Sequence, residues 1–276
     1  MKAMVHHLIL LSSGRSGTHL HQIMMQHGLE KAVVLGELFN PSSPFGLEAQ
    51  TPEFIGMLEE ECGIEVDLGK ARALANYVRE DPVVFLNALS AVCDRLGYDY
   101  LCYSILPKQL AGRSIEDILF KFDCSCSFLT RERLARYISL VKARQLGAWK
   151  RVDTTSLKPE ITMEGFLEDA RATDDWFQFL SERVLTAGLN VRHLSYGADL
   201  NQPAQIAFYS LQRTYQGVCA LTAFDFSLIP DFKQEREADP FRSIAKGDLI
   251  RDVLQQACLL DYAFAEPEVF SADGYV

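Results

Sequence analysis

The sequence predicts an α/β protein: a central parallel sheet flanked by helices in three layers. Three observations predict it. The chain has 276 residues, 48% hydrophobic and 23% charged, which is ordinary globular composition with length for a sizeable core. The run Leu8-Ile9-Leu10-Leu11 is apolar without alternation, as in a strand buried on both faces of a parallel sheet. Further short apolar runs are separated by segments of helical period, the order of βα units rather than of hairpins. Residues 1–276 read as one such domain, with a helical segment at about 50–97.

The first strand ends at Ser12-Ser13-Gly14-Arg15-Ser16-Gly17, a polar turn with two glycines. From Thr18 the pattern is helical: Leu20, Ile23 and Met24 share a face, and Gly28 is a natural stop. Strand, Gly-rich loop and helix start collect unpaired backbone N–H groups at the positive end of a helix dipole, which is an anion site. Arg15 adds a permanent charge with bidentate donors. A plain βα turn fits the same local pattern. The Walker A lysine is absent, since Thr18-His19 follows Gly17, and so is the dinucleotide G-x-G-x-x-G. What remains is a P-loop-like turn with Arg in place of Lys.

Residues 31–35 read as a second strand, and residues 36–46, rich in Gly, Pro and Ser, as the loop after it. Glu37 falls just past that strand end, where open α/β sheets bind ligands. It reads either as a solvated loop carboxylate or as a general base beside the anion loop. Residues 52–96 are helical and acidic, divided at Pro82. Residues 98–106 are a third strand ended by Pro107, 114–120 a short helix with a Ser-x-x-Asp cap, and 124–130 a fourth strand. A helix opens at Arg131, with Ser139 eight residues on, about two turns. Arg133, Arg136, Lys142 and Arg144 on it read as a solvated basic face. Residues 164–186 form a long helix whose Trp176 and Phe177 read as core. Residues 190–196 are a fifth strand, 204–217 a helix, 219–226 an apolar segment of strand character, 247–265 a final helix and 266–276 a loosely held tail.

The net charge of −10 argues against nucleic-acid or anionic-membrane partners, so an anionic ligand has to be held by local groups. No apolar run approaches ~18 residues, so no membrane span is expected. The chain enters a strand almost at once, leaving no room for a signal peptide. Seven cysteines without regular spacing read as free thiols of a cytoplasmic protein. His19 and His21 fall on different faces of a helix, which disfavours a shared metal.

Two stretches resemble the signatures of the sulfotransferases. Ser13-Gly14-Arg15-Ser16-Gly17-Thr18-His19-Leu20 is similar to that family's 5′-phosphosulfate loop, P-R-S-G-[ST]-[ST]-L, without the Pro and with His19 at a usual hydroxyl position. Arg131-x7-Ser139 after a strand is similar to its 3′-phosphate signature. The surrounding text looks most like the bacterial branch typified by trehalose 2-sulfotransferase, in which a Glu in the loop after strand two is the proposed base; Glu37 matches it. Tyr196 matches a fifth-strand Tyr near the adenine, whereas Gly197 stands where that family has Glu. The His base of the steroid-and-phenol branch is absent from Tyr103-Ser104-Ile105-Leu106-Pro107.

The resemblance implies a donor, 3′-phosphoadenosine 5′-phosphosulfate (PAPS), and a product, 3′-phosphoadenosine 5′-phosphate (PAP), with no metal. It implies that residues 13–19 hold the phosphosulfate, with His19 touching it from the helix start. Arg15 and Glu37 would be catalytic, and Arg131, Ser139 and Tyr196 would hold the nucleotide. The acceptor would be a carbohydrate, glycolipid or small natural-product hydroxyl, and a homo-dimer is compatible with it. In the family a basic loop before the last helix closes over the cofactor; Lys233 and Arg242 are candidates for it, or solvated loop residues. A nucleotide-dependent kinase and a non-catalytic PAPS- or nucleotide-binding protein are the competing readings.

Overall fold

A computed structural model describes residues 5–147, 156–222, 225–228, 239–271 and 274–275. In chain order these form β1 (His6–Ser12), α1 (Thr18–Gly28), β2 (Ala32–Val34), α2 (Pro52–Cys62), α3 (Ala71–Glu80), α4 (Pro82–Leu96), β3 (Tyr100–Ile105), α5 (Gly112–Lys121), β4 (Cys124–Thr130), α6 (Arg133–Leu146), α7 (Met163–Thr186), β5 (Val191–Ser195), α8 (Ala204–Thr214), α9 (Gly247–Gln256), α10 (Leu260–Phe264), β6 (Phe270–Ser271) and β7 (Gly274–Tyr275).

Strands β2-β3-β1-β4-β5 lie side by side in that order, all parallel, and β6 and β7 pair separately. The unbroken apolar run of β1 follows from its central place. Ile9 and Leu11 enter a core with α2, α3, α4, α5 and α7, while Leu8 and Leu10 enter a second core with α1 and α8. Each of the four is buried, worth roughly 1.5–3 kcal/mol per side chain. A third cluster joins α6 and α7 to α9 and α10. The chain runs outward from β1 to β2 on one side and reaches β4 and β5 on the other, so β1 marks the switch point at whose carboxyl edge such sheets open a crevice.

Several local expectations change. The division at Pro82 stands, with Asp81 accepting from Val84 N as the cap. A further break at Gly63, in the left-handed region, separates α2 from α3. Helix α5 starts at Gly112, so Ser114 lies inside its first turn rather than at its cap. Gly28 ends α1 without a left-handed cap; a Cβ there would sit 2.6 Å from Phe208, so packing against α8 explains the glycine. The basic face of α6 is not solvated. Arg133, Arg136 and Lys142 are 5%, 4% and 1% exposed, and only Arg144 faces water. Arg133 pairs with Asp174 and Arg136 with Asp169, both on α7. Cationic spacing alone could not reveal partners on another helix.

The segment 247–265 is two helices, broken near Cys258, whose φ is +55°. Within 219–226, the described residues make one isolated bridge, Leu29 to Leu221, not a strand. The final segment is held rather than loose: Val269 is buried and Phe270 N donates to Ser181 Oγ. No helix among the described residues is long and apolar enough to cross a membrane.

Candidate active site

A parallel sheet delivers every strand's carboxyl end to one edge. Arg15 follows β1, Glu37 follows β2, Gln109 follows β3, Arg131 follows β4 and Tyr196 follows β5.

The loop after β1 is anchored from below and from both sides. Ser12 Oγ donates to Leu129 O at 2.8 Å, and Trp176 Nε1 donates to Ser12 O at 3.0 Å. Trp176 is therefore half-buried and tied to the site, not simply core. Ser13 and Ser16 are buried and share a hydroxyl–hydroxyl bond of 2.9 Å across the turn. Arg15 takes φ +71°, the left-handed region that a side chain enters at a cost, and Gly17 takes φ +93°. A Cβ on Gly17 would lie 2.5 Å from Tyr196 Cδ2, so both conformation and contact require glycine there. A Cβ on Gly14 would meet nothing within 4 Å, which leaves open space over the loop. Thr18 opens α1 and His19 stands in its first turn, both half-buried.

Arg15 Nε donates to Ser139 Oγ at 3.1 Å, across 124 residues of chain. Arg131 Nη1 donates to Arg15 O at 2.9 Å, and its guanidinium lies 4.5 Å over the Tyr196 ring. Arg15, Gly17, Arg131, Ser139 and Tyr196, all singled out from sequence, thus form one connected group. Burial, and after it the Arg131 charge, pull the Arg15 guanidinium below its ordinary range, while Tyr196 acts in the opposite direction. Two cations held this close in a half-buried place favour an anion between or above them.

Thr130 and Ser195 immediately precede Arg131 and Tyr196, and are paired across β4 and β5. Both hydroxyls donate to one carboxylate, that of Glu266: Thr130 to Oε2, and Ser195 to Oε1 at 2.6 Å. Thr130 has spent its proton, so His193 Nε2–H donates to Thr130 Oγ1 at 2.7 Å. Glu266 lay in the segment read as a loose tail, and no local pattern marks it.

On the other side of the edge, Glu37 Oε2 accepts from Asn40 Nδ2 at 2.8 Å and Gln109 Nε2 at 3.0 Å. The loop carrying Glu37 is fixed by its backbone, with Gly36 N donating to Phe45 O and Ser104 N to Gly36 O. Gln109 was missed by sequence reasoning; an isolated Gln in a turn carries no signal. Arg242 is exposed beside Asp239, a solvated loop residue. Lys233 lies outside the described residues. Among the described residues no group of three His, Cys, Asp or Glu side chains could hold a metal ion; His21 is buried against Tyr215 instead.

The protein is an α/β fold with an arginine-bearing strand–loop–helix turn at the carboxyl edge of a parallel sheet. No family model and no curated protein matches the chain. Among solved structures it is similar to the sulfotransferase domain from the curacin biosynthetic pathway, at 12% identity and a TM-score of 0.48, over 91% of this chain and 87% of that one. It is also similar to the sulfotransferase domain from the Synechococcus PCC 7002 olefin synthase, at 12% identity and a TM-score of 0.44, over 86% and 80%. At that identity the residues of the site, not the likeness, have to carry the function.

Proposed function

We propose that the protein is a sulfotransferase of the trehalose 2-sulfotransferase type, moving a sulfuryl group from PAPS to the hydroxyl of a carbohydrate, glycolipid or small natural product. The observation that carries this reading is the convergence of Arg15 and Arg131 over the N-terminus of α1, through the bond from Arg131 to the Arg15 carbonyl. It supports reading the two phosphate signatures of the sequence as one anion-binding surface. The open space over Gly14 fits a phosphosulfate laid against the loop amides.

PAPS, when bound, would supply an activated sulfuryl group to the acceptor oxygen, with the 5′-phosphate as the leaving group that takes the electron pair of the broken S–O bond. The chain's residues do the rest. Backbone N–H groups of residues 14–18 and the Thr18 hydroxyl hold the phosphosulfate, and His19 borders it. Arg15 stabilises the charge that accumulates on the departing phosphate oxygen. Arg131 and Ser139 hold the 3′-phosphate, and Tyr196 lies along the nucleotide base. Glu37 takes the acceptor proton.

Calorimetric titration of the metal-free protein tests the reading. PAP is expected to bind about 10- to 100-fold more tightly than 5′-AMP, the range of charge-assisted hydrogen bonds. Arg131→Ala is expected to erase most of that difference. Equal affinities, or binding of ATP only with Mg²⁺, would remove the assignment and favour a kinase.

A further inference from the structure

We infer that Gln109 is a positioning residue for the base, holding Glu37 so that Oε1 is the oxygen that receives the acceptor's proton; the inference rests on the reading of Glu37 as base. Gln109 is 3% exposed in the turn after β3. Its amide orientation is decided by its own contacts. Oε1 accepts from Leu106 N at 2.9 Å, which only a carbonyl oxygen can do, so Nε2 is the end that faces Glu37. Its backbone is held as well, with Arg79 Nε of α3 donating to Gln109 O at 2.7 Å. Asn40 repeats the logic: Oδ1 accepts from Ser42 N at 3.0 Å, so Nδ2 is the donor.

Both amides donate to the same oxygen, Oε2. No hydrogen bond to Oε1 is found among the described residues. The carboxylate is thus gripped on one oxygen by two neutral donors of fixed direction, and the second oxygen is left for the substrate. A lysine or arginine in the place of Gln109 would hold Glu37 equally well but would add a competing charge at the proton-accepting group. The amides position it without one. Through Arg79, the acidic helical segment reaches the base in two steps, Arg79 to Gln109 and Gln109 to Glu37.

The test is a double-mutant cycle on the full chain, read as PAP released from PAPS with water or a fixed panel of trehalose, glucose and p-nitrophenol as acceptors. Gln109→Leu removes the donor. Gln109→Met removes it with an uncharged side chain of similar length, and so serves should the first variant not fold; PAP affinity reports folding for both. Each is expected to lower kcat about 10- to 100-fold, with KM for PAPS changed less than about 3-fold. In a Glu37→Gln background neither should slow turnover further, because a residue acting through Glu37 has nothing left to position. Unchanged kcat in both variants, or the same loss repeated in the Glu37→Gln background, overturns the inference while leaving Glu37 as base. Full turnover by Glu37→Gln alone removes both.

Discussion

The carboxyl edge of the sheet has two halves built on different principles. Over β1, β4 and β5 it is cationic: Arg15, Arg131, Ser139 and Tyr196 are locked to one another, and the charges are held by the protein's own carbonyl, hydroxyl and ring. Over β2 and β3 it is one carboxylate gripped by two neutral amides. The difference teaches where each half gets its precision. The cationic half tolerates some misplacement, since attraction between full charges falls off slowly with distance. The acidic half relies on short, directional bonds, and a small displacement there loosens the grip on the Glu37 carboxylate.

The largest effect that would sharpen this contrast is on rate. Glu37→Gln should lower turnover about 10²–10⁴-fold with PAP binding unchanged, measured as PAP release and by calorimetry. A parallel loss of PAP affinity would mean that the halves are not separable. A smaller effect is expected from Gly17→Ala, which sets a Cβ against Tyr196 in a left-handed backbone. PAP affinity should fall about 10- to 100-fold, the fold-change of a ~1–3 kcal/mol strain, while the helical circular dichroism signal is retained. Affinity equal to the parent's would show that Tyr196 moves freely from the loop.

The last effect is on stability rather than on binding or rate, and lies outside the edge. Burial holds His21 at about 3 and His7 at about 4, so both are neutral when folded and protonated when unfolded below about pH 6.5. The unfolded chain then binds more protons than the folded one. Stability therefore falls as the pH drops from about 6.5 toward 4, and levels off below the folded values. His21→Gln should lose stability at pH 7, where its bond to Tyr215 is gone, and close the gap to the parent by on the order of a few kcal/mol at pH 4.5 in urea titrations. A gap independent of pH would show that His21 is accessible to protons in the fold.

The sequence made the frame and the cationic half readable for a physical reason. Doubly buried strands leave unalternated apolar runs, and an anion loop needs Gly, hydroxyl and Arg at adjacent positions, so the signal is local. Arg131 and Ser139 are also legible because they lie only eight residues apart, although the helix starts at Arg133 and not at Arg131 as the sequence suggested, so Arg131 stands just before α6 and Ser139 on it. The acidic half is legible only at Glu37. Gln109 lies 72 residues away from it, and what makes it matter is the direction of an amide set by Leu106 N, which no spacing encodes. The buried arginines of α6 were misread for the same reason: Asp169 and Asp174, their partners, belong to another helix. Glu266 is the extreme case, a single acid whose two partners sit 136 and 71 residues earlier.

That carboxylate also sets an order of events during synthesis. Thr130 and Ser195 leave the ribosome long before residue 266 does, and until it arrives their hydroxyls lack the acceptor that joins them. A nascent chain can therefore assemble the sheet and the loop after β1 while the seat of Arg131 and Tyr196 is still unclasped. That seat is completed late in the birth of the molecule, by an element that contributes no atom to the loop after β1 itself.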